Sequence, residues 1–227
     1  MTNSKYCSKR PVQVACLMMQ KDEGYLLHAW VCYHAALFGY DNLIVYDNGS
    51  GCAHTLKILE EIESLGVIVD RSKPDPIHFR QKGVLFRQRI NQIQQAPSKR
   101  KQFDFFMPLD CDEFVALADG DSMCFDRERI HAYLSGMRGN GGVFRIAHSW
   151  LNAPASTRIF FRKPERKCFV AEGQLISLNS GFHVAKSHST KPEVDTDIAH
   201  IHLHYKPYAR MIMLTLDKLA LDINTER

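Results

Sequence analysis

Residues 12–19 form an almost unbroken apolar run, the pattern of a strand buried on both faces of a parallel sheet. Lys21-Asp22-Glu23-Gly24 closes it. Over residues 25–38 the period changes: Leu27, Trp30, Val31, Leu37 and Phe38 recur at helical spacing, and Gly39 is placed to stop the helix. A second strand at 43–46 runs into Asp47-Asn48-Gly49-Ser50-Gly51. Leu56, Leu59 and Ile62 then mark another helical face, followed by Gly66 and a short strand at 67–69. This β-α-β-α-β order predicts parallel strands with right-handed crossovers.

A charged loop with Pro74 and Pro76 precedes a helix predicted over 78–95, whose apolar stripe is Phe86, Ile90 and Ile93 and whose middle is crowded by Arg87, Gln88 and Arg89. Residues 96–102 read as a surface loop, and 103–109 as a fourth strand delivering Asp110 at its carboxyl end. Open α/β sheets bind ligands at that edge. Beyond Phe114 the pattern is mixed: a helix over 126–137 with Ile130, Tyr133, Leu134 and Met137 on one face, then strands near 143–150 and 159–162. Late in the chain His200, His202 and His204 alternate with Ile201, Leu203 and Tyr205, which places three imidazoles on one strand face.

Composition narrows the picture. With 227 residues and 45% hydrophobic content the chain can build one sizeable core, so a tail at 1–10 and a single domain at 11–227 are expected. The formal charge of +4, from 29 basic and 25 acidic residues, is too mild to indicate nucleic-acid binding and suits anionic small substrates. Seven cysteines without a C-x-x-C pair point to free thiols in a reducing compartment, with Cys16 and Cys32 expected in the core. The apolar run near the N-terminus is too short for a membrane span and lacks a clean signal-cleavage pattern. A soluble cytoplasmic protein is expected, with peripheral membrane contact left open.

The chemistry gathers at Asp110-Cys111-Asp112-Glu113. In an extended segment Asp110 and Asp112 would face one ligand and Cys111 the other way. Two carboxylates suit a hard divalent cation that keeps positions open for phosphate oxygens; the plain alternative is a solvated turn or helix cap. Asp47, after a neighbouring strand, could accept a hydrogen bond from a nucleobase imide or ribose hydroxyl, or simply shape an Asp-Asn-Gly turn. An imidazole from the late strand beside the carboxylates would favour manganese, whereas the three histidines alone would suit zinc.

These residues resemble a family: glycosyltransferases of the family 2-like type, related to family 92. The resemblance rests on Lys21-Asp22-Glu23 followed by Trp30 and His34, on Gly39-Tyr40-Asp41, on Tyr46-Asp47-Asn48-Gly49-Ser50, on Gln88, and on Leu109-Asp110-Cys111-Asp112-Glu113-Phe114. It implies an α/β fold of the GT-A kind, a Rossmann-like, mainly parallel mixed sheet flanked by helices, with a nucleotide-binding half at 11–114 and an acceptor and metal-completing half at 115–227. It further implies a nucleoside-diphosphate-sugar donor, a UDP-sugar favoured, a glycan or other hydroxyl acceptor, and Mn2+ or Mg2+. Asp110 and Asp112 would lie near ribose and metal, and Glu23, Asp47, Asn48, Gln88 and His183 near substrate. The segment His202-Leu203-His204-Tyr205-Lys206 resembles the family's His-Tyr signature and gives His204 a metal or diphosphate role. Cys52 stands where the family's turn often continues to a further Asp.

An inverting transferase also needs a carboxylate base, for which Glu172, Glu193, Asp195 and Asp197 are the candidates. Two other classes remain open at this stage. One is a phosphatase or phosphotransferase using Asp110 as nucleophile; the other is a non-catalytic nucleotide-sugar-binding module.

Overall fold

The structure is a computed structural model that describes residues 10–96, 102–154, 159–163, 166–171, 173, 175–206 and 212. The seven residues of β1 (Val14–Gln20) are all buried, because they alternate between two cores: Val14, Cys16 and Met18 pack on one face of the sheet, Ala15, Leu17 and Met19 on the other. Helix α1 (Tyr25–Phe38) follows, then β2 (Leu43–Asp47), α2 (Ala53–Ser64) and β3 (Ile68–Asp70). The three strands are parallel neighbours, as the alternating pattern requires.

The single helix expected over 78–95 is two: α3 (Pro76–Arg80) and α4 (Lys82–Gln95). The Asp75 carboxylate caps the first by accepting the Ile77 N–H at 2.9 Å, with Pro76 in the first turn. The break at Gln81 lets α4 start afresh with Lys82 aimed at the carboxyl edge of the sheet. Then come β4 (Phe105–Pro108), β5 (Glu113–Asp119), β6 (Ser122–Cys124), α5 (Arg127–Met137), β7 (Val143–Asn152), β8 (Phe160–Lys163), β9 (Lys167–Ala171), β10 (Leu175–Leu178), β11 (Ala185–Ser187) and β12 (Val194–His202).

One ten-stranded mixed sheet runs in the order β3-β2-β1-β4-β9-β7-β12-β5-β6, with β8 on β7, and β10 and β11 form a separate pair. Strands β3, β2, β1 and β4 make a parallel block; β9 joins antiparallel. The α/β class with a mixed sheet flanked by helices is thus the observed one. Leu27 and Trp30 of α1, Leu59 and Ile62 of α2 and Ile130 and Leu134 of α5 fill the core on one face. Phe86 and Ile90 of α4, with Leu178 and Phe182, fill the other. No helix among the described residues is long and apolar enough to cross a membrane.

Cys16 is buried, but Cys32 is exposed. It shares the outer stripe of α1 with His28 and Ala36, four residues apart each way, rather than the stripe of Trp30 and His34.

Two contacts of α1 locate the acidic segment. Strand β6 covers β5 only from Leu117 onward, so at Val115 the helix takes over as hydrogen-bond partner. The Val115 N–H donates to His34 Nε2 at 3.4 Å, and the Tyr33 hydroxyl donates to the Val115 carbonyl. His34 Nδ1 donates in turn to the Trp30 carbonyl at 2.8 Å, which settles its tautomer. Burial pushes the His34 imidazole pKa down to about 3, the Trp30 hydrogen bond opposing only in part.

Gly83 is where α4 meets the β10 end. A Cβ there would overlap the Leu178 carbonyl oxygen and lie 2.6 Å from the Asn179 carbonyl carbon, backbone atoms that cannot rotate away. Alanine in a helix interior is worth about 1 kcal/mol over glycine, but overpacking costs about 1–3 kcal/mol or more. Gly83→Ala is expected to lower stability in urea denaturation despite its better helix propensity. A stabilised variant would show that α4 and β10 are not in rigid contact.

Candidate functional site at the carboxyl edge

Asp110, Cys111 and Asp112 form a turn between β4 and β5 rather than an extension of the strand. The Asp110 N–H donates to Glu113 Oε2 at 2.8 Å, the Glu113 N–H donates to the Asp110 carbonyl at 3.1 Å, and the Leu203 N–H donates to the Asp112 carbonyl at 2.8 Å. The expectation that Asp110 and Asp112 face one ligand therefore does not hold: alternation needs an extended backbone, and here the chain reverses. Cys111 is buried, while the two carboxylates diverge.

Asp110 faces two lysines. Lys82 Nζ from the start of α4 contacts Oδ1, and Lys167 Nζ from the start of β9 lies 2.8 Å from Oδ2. Lys167 also meets Glu113 Oε1 at 2.9 Å. The Lys82, Lys167 and Glu113 side chains are 9%, 3% and 0% exposed, and Asp110 is 28% exposed. Beneath them the buried Phe182 ring carries both ammoniums, at 4.9 Å from Lys82 and 5.0 Å from Lys167. Burial would push the Asp110 carboxyl up, but Lys82 and Lys167 overcome it and hold the group well below the usual carboxylate range. Burial likewise works against the Lys167 ammonium, and Glu113 and Asp110 hold it charged, above the ordinary lysine range. Two cations and two anions make this inner tetrad neutral.

Asp112 belongs to a different group. Its Oδ1 lies 3.5 Å from His202 Nε2, and its Oδ2 is 3.5 Å from Lys206 Nζ, which reaches Glu23 Oε1 at 3.6 Å. His202 Nδ1 is 4.0 Å from Glu113 Oε1. His200 Nε2 is 3.7 Å from the same oxygen and 3.1 Å from Ser149 Oγ.

These distances test the implied cation. Adjacent ligands at about 2.1 Å from one ion stand about 3.0–3.4 Å apart in octahedral or tetrahedral geometry. Asp112 Oδ1 and His202 Nε2, 3.5 Å apart, fit that spacing. Glu113, His200 and His202 also bring donor atoms within 4.8 Å of one another, but Lys167 already holds Glu113. Asp110 could ligate only by displacing two ammoniums.

The other sequence-predicted residues are placed as follows. Asp47 accepts from Gln20 Nε2 at 2.7 Å, from Ser50 Oγ at 2.5 Å and from the Ser50 N–H at 3.2 Å, so its carboxylate is spent on its own turn. Asn48 donates to the Lys73 and Asp75 carbonyls at 2.6 and 2.8 Å. Gln88 is exposed and, with Tyr46, Asp70 and Arg89, lines a polar cavity of about 220 Å3 at the ends of β2 and β3. His183 is tied to the Arg166 carbonyl at 2.5 Å and borders a cavity with Arg145 and Glu193. His204 is exposed, its ring 5.0 Å from that of His202, and His202 Nε2 is an imidazole nitrogen 3.5 Å from Asp112.

The base candidates are not brought to this edge. His202 pairs with Glu113, and Asp197 and Asp195 lie back along β12 by about 17 and 23 Å at ~3.3 Å per residue. Glu193 is farther still. Arg145 holds Asp195 at 2.7 Å and Glu193 at 3.4 Å. Glu172 lies outside the described residues.

Lys82, Lys167 and Glu113 were not foreseen as partners of Asp110. The signal was a lysine opening the apolar run Cys168-Phe169-Val170, since a cation entering a buried strand demands an acid nearby.

No family model matches the chain, and no curated protein does. Among solved structures, S. aureus TarS is similar at 12% identity and a TM-score of 0.41, over 65% of this chain and 23% of that one. A structure of TarS residues 1–349 gives 12% and 0.36, over 65% and 38%. A cytidylyltransferase from Leptospira borgpetersenii serovar Hardjo-bovis gives 12% and 0.37, over 70% and 60%. The chain spans less than two thirds of each of these.

Proposed function

We propose that this chain is a sugar-nucleotide transferase that moves a glycosyl group from a nucleoside diphosphate, a UDP-sugar favoured, to an acceptor hydroxyl. The observation that carries the reading is the division of partners at the Asp110–Asp112 turn. Both Asp110 oxygens are held by ammoniums, whereas Asp112 Oδ1 and His202 Nε2 present two donors 3.5 Å apart. That is a place for one divalent cation at the ligand-binding edge of an α/β sheet.

In the transfer, the bond from the anomeric carbon to the diphosphate oxygen breaks with its electron pair on the diphosphate. The acceptor oxygen bonds to the same carbon, and its proton passes through water to the released diphosphate. A divalent cation supplies Lewis-acid neutralisation of the departing diphosphate. Asp112 and His202 would hold it, the imidazole favouring Mn2+ over Mg2+. Lys206 presents a second positive charge at the same edge. Asp110 keeps Lys82 and Lys167 charged and in place rather than ligating metal. The Asp47 turn anchors the ends of β1 and β2 through Gln20 and Ser50. A phosphotransferase reading is weaker, because a nucleophilic Asp110 would have to leave two ammoniums. Free thiols at all six described cysteines suit a reducing cytoplasmic setting.

Calorimetry of Mn2+ and UDP with the purified protein tests the assignment. Asp112→Asn and His202→Ala are each expected to weaken manganese-supported UDP binding by at least the 10–100-fold that even outer partners of a metal are worth. Asp110→Asn should keep it within a few-fold. The reverse order of losses would return the cation to Asp110.

A further inference from the structure

Beside the outer group lies a cavity of about 420 Å3, bounded by the start of α1, the start of α2 and the segment after β12. Leu26, Leu203 and Tyr205 contribute apolar wall, and Asp22, Glu23 and Lys206 contribute charge. Over it stands Tyr25, 79% exposed, more than any other large apolar side chain described. The ring is nevertheless braced: its centroid lies 4.3 Å from that of His54, at 56°. The polar wall is continuous with the site already described, because Lys206 Nζ lies 3.6 Å from Glu23 and 3.5 Å from Asp112.

We propose that this cavity is a saccharide-binding site; its assignment to the acceptor rests on the transferase reading above. A pyranose ring offers an apolar C–H face and a rim of hydroxyls that both donate and accept. The braced Tyr25 ring matches the face. Glu23 accepts from hydroxyls and Lys206 donates to them, while Asp22 Oδ1 accepts the Gly51 and Cys52 N–H groups at 2.9 and 2.8 Å and fixes that side of the wall. Charges set into the wall favour a polyol over an acyl chain. A sugar seated against Tyr25 brings hydroxyls to Glu23 and Lys206, next to Asp112, which is where a glycosyl group would have to arrive.

Saturation-transfer NMR on the full chain, without nucleotide or metal, tests this with the methyl glycosides of glucose, galactose and N-acetylglucosamine, with maltotriose, and with uridine as comparator. Saturation is expected to reach the ring C–H protons of at least one saccharide. The dissociation constant should rise about tenfold in Tyr25→Ala, the scale of one aromatic contact, and stay near wild type in Tyr25→Trp. Tyr25 is so exposed that the fold tolerates both variants, which circular dichroism checks. Silence from every saccharide, equal binding by Tyr25→Ala, or uridine as the ligand lost with Tyr25 would overturn the assignment. Saccharide binding without any UDP binding would leave this site standing and remove the transferase reading; UDP binding with no saccharide binding would do the opposite.

Discussion

Lys167→Met is expected to cost about 3–5 kcal/mol of folding stability, the penalty for leaving a buried charge without its partner. Glu113 is fully buried and Lys167 is the cation within 2.9 Å of it, so the variant strands a carboxylate that water cannot reach. Asp110 would keep Lys82, which is why the loss falls mainly on Glu113. Methionine preserves most of the packing on Phe182, so the experiment separates charge from volume. For a chain of this size the cost corresponds to a fall in Tm of about 6–20 °C. Urea denaturation at pH 7 measures it, and a loss under about 1 kcal/mol would mean that the pair contributes little. The folded state holds the Lys167 pKa above its ordinary 10.5. Its stabilising contribution is therefore complete below that pH and fades only as pH rises through the folded value.

The second large effect is acid lability through His34. Its folded imidazole titrates at about 3 against an ordinary 6.5, so between those values the unfolded chain binds a proton that the folded chain refuses. The sign follows: stability is full above pH 6.5 and falls as pH is lowered, by up to about 1.4 kcal/mol per pH unit. Down to pH 3 the loss approaches about 4–5 kcal/mol, an order-of-magnitude figure for so deeply buried a group. His34→Gln removes the titration, and subtracting its stability-against-pH curve from the wild-type curve isolates this residue from the other histidines. Parallel curves would show that His34 is not held neutral. Because the ring accepts from the Val115 N–H, protonation would also loosen the strand that follows the acidic turn.

The course of the chain from β1 to β3 was readable because it is local. The run at 12–19 is apolar at successive positions, which only a doubly covered strand can use, and α1 spans Tyr25–Phe38, the range its periodicity predicts. The division of α3 from α4 was less visible, since no proline or glycine stands at Gln81, where the backbone leaves the helical range. Strand β9 was missed because its partners, β4 and β7, lie far away in the chain, and β10 and β11 because four and three residues are too short to show a period.

At the site the division is sharper. The acidic segment, its place after an apolar strand and the alternating histidines are properties of neighbouring residues, so the amino-acid order alone disclosed them. Which base meets which acid was decided only by the fold. Lys82 and Lys167 stand 28 and 57 residues from Asp110, on a helix and a strand whose approach follows from the cores beneath them. The turn at Cys111 then aimed Asp110 at those lysines and Asp112 at His202 and Lys206. Charge in a low-dielectric interior settles with whatever the packing brings within a few ångströms, and that distance is a property of three dimensions.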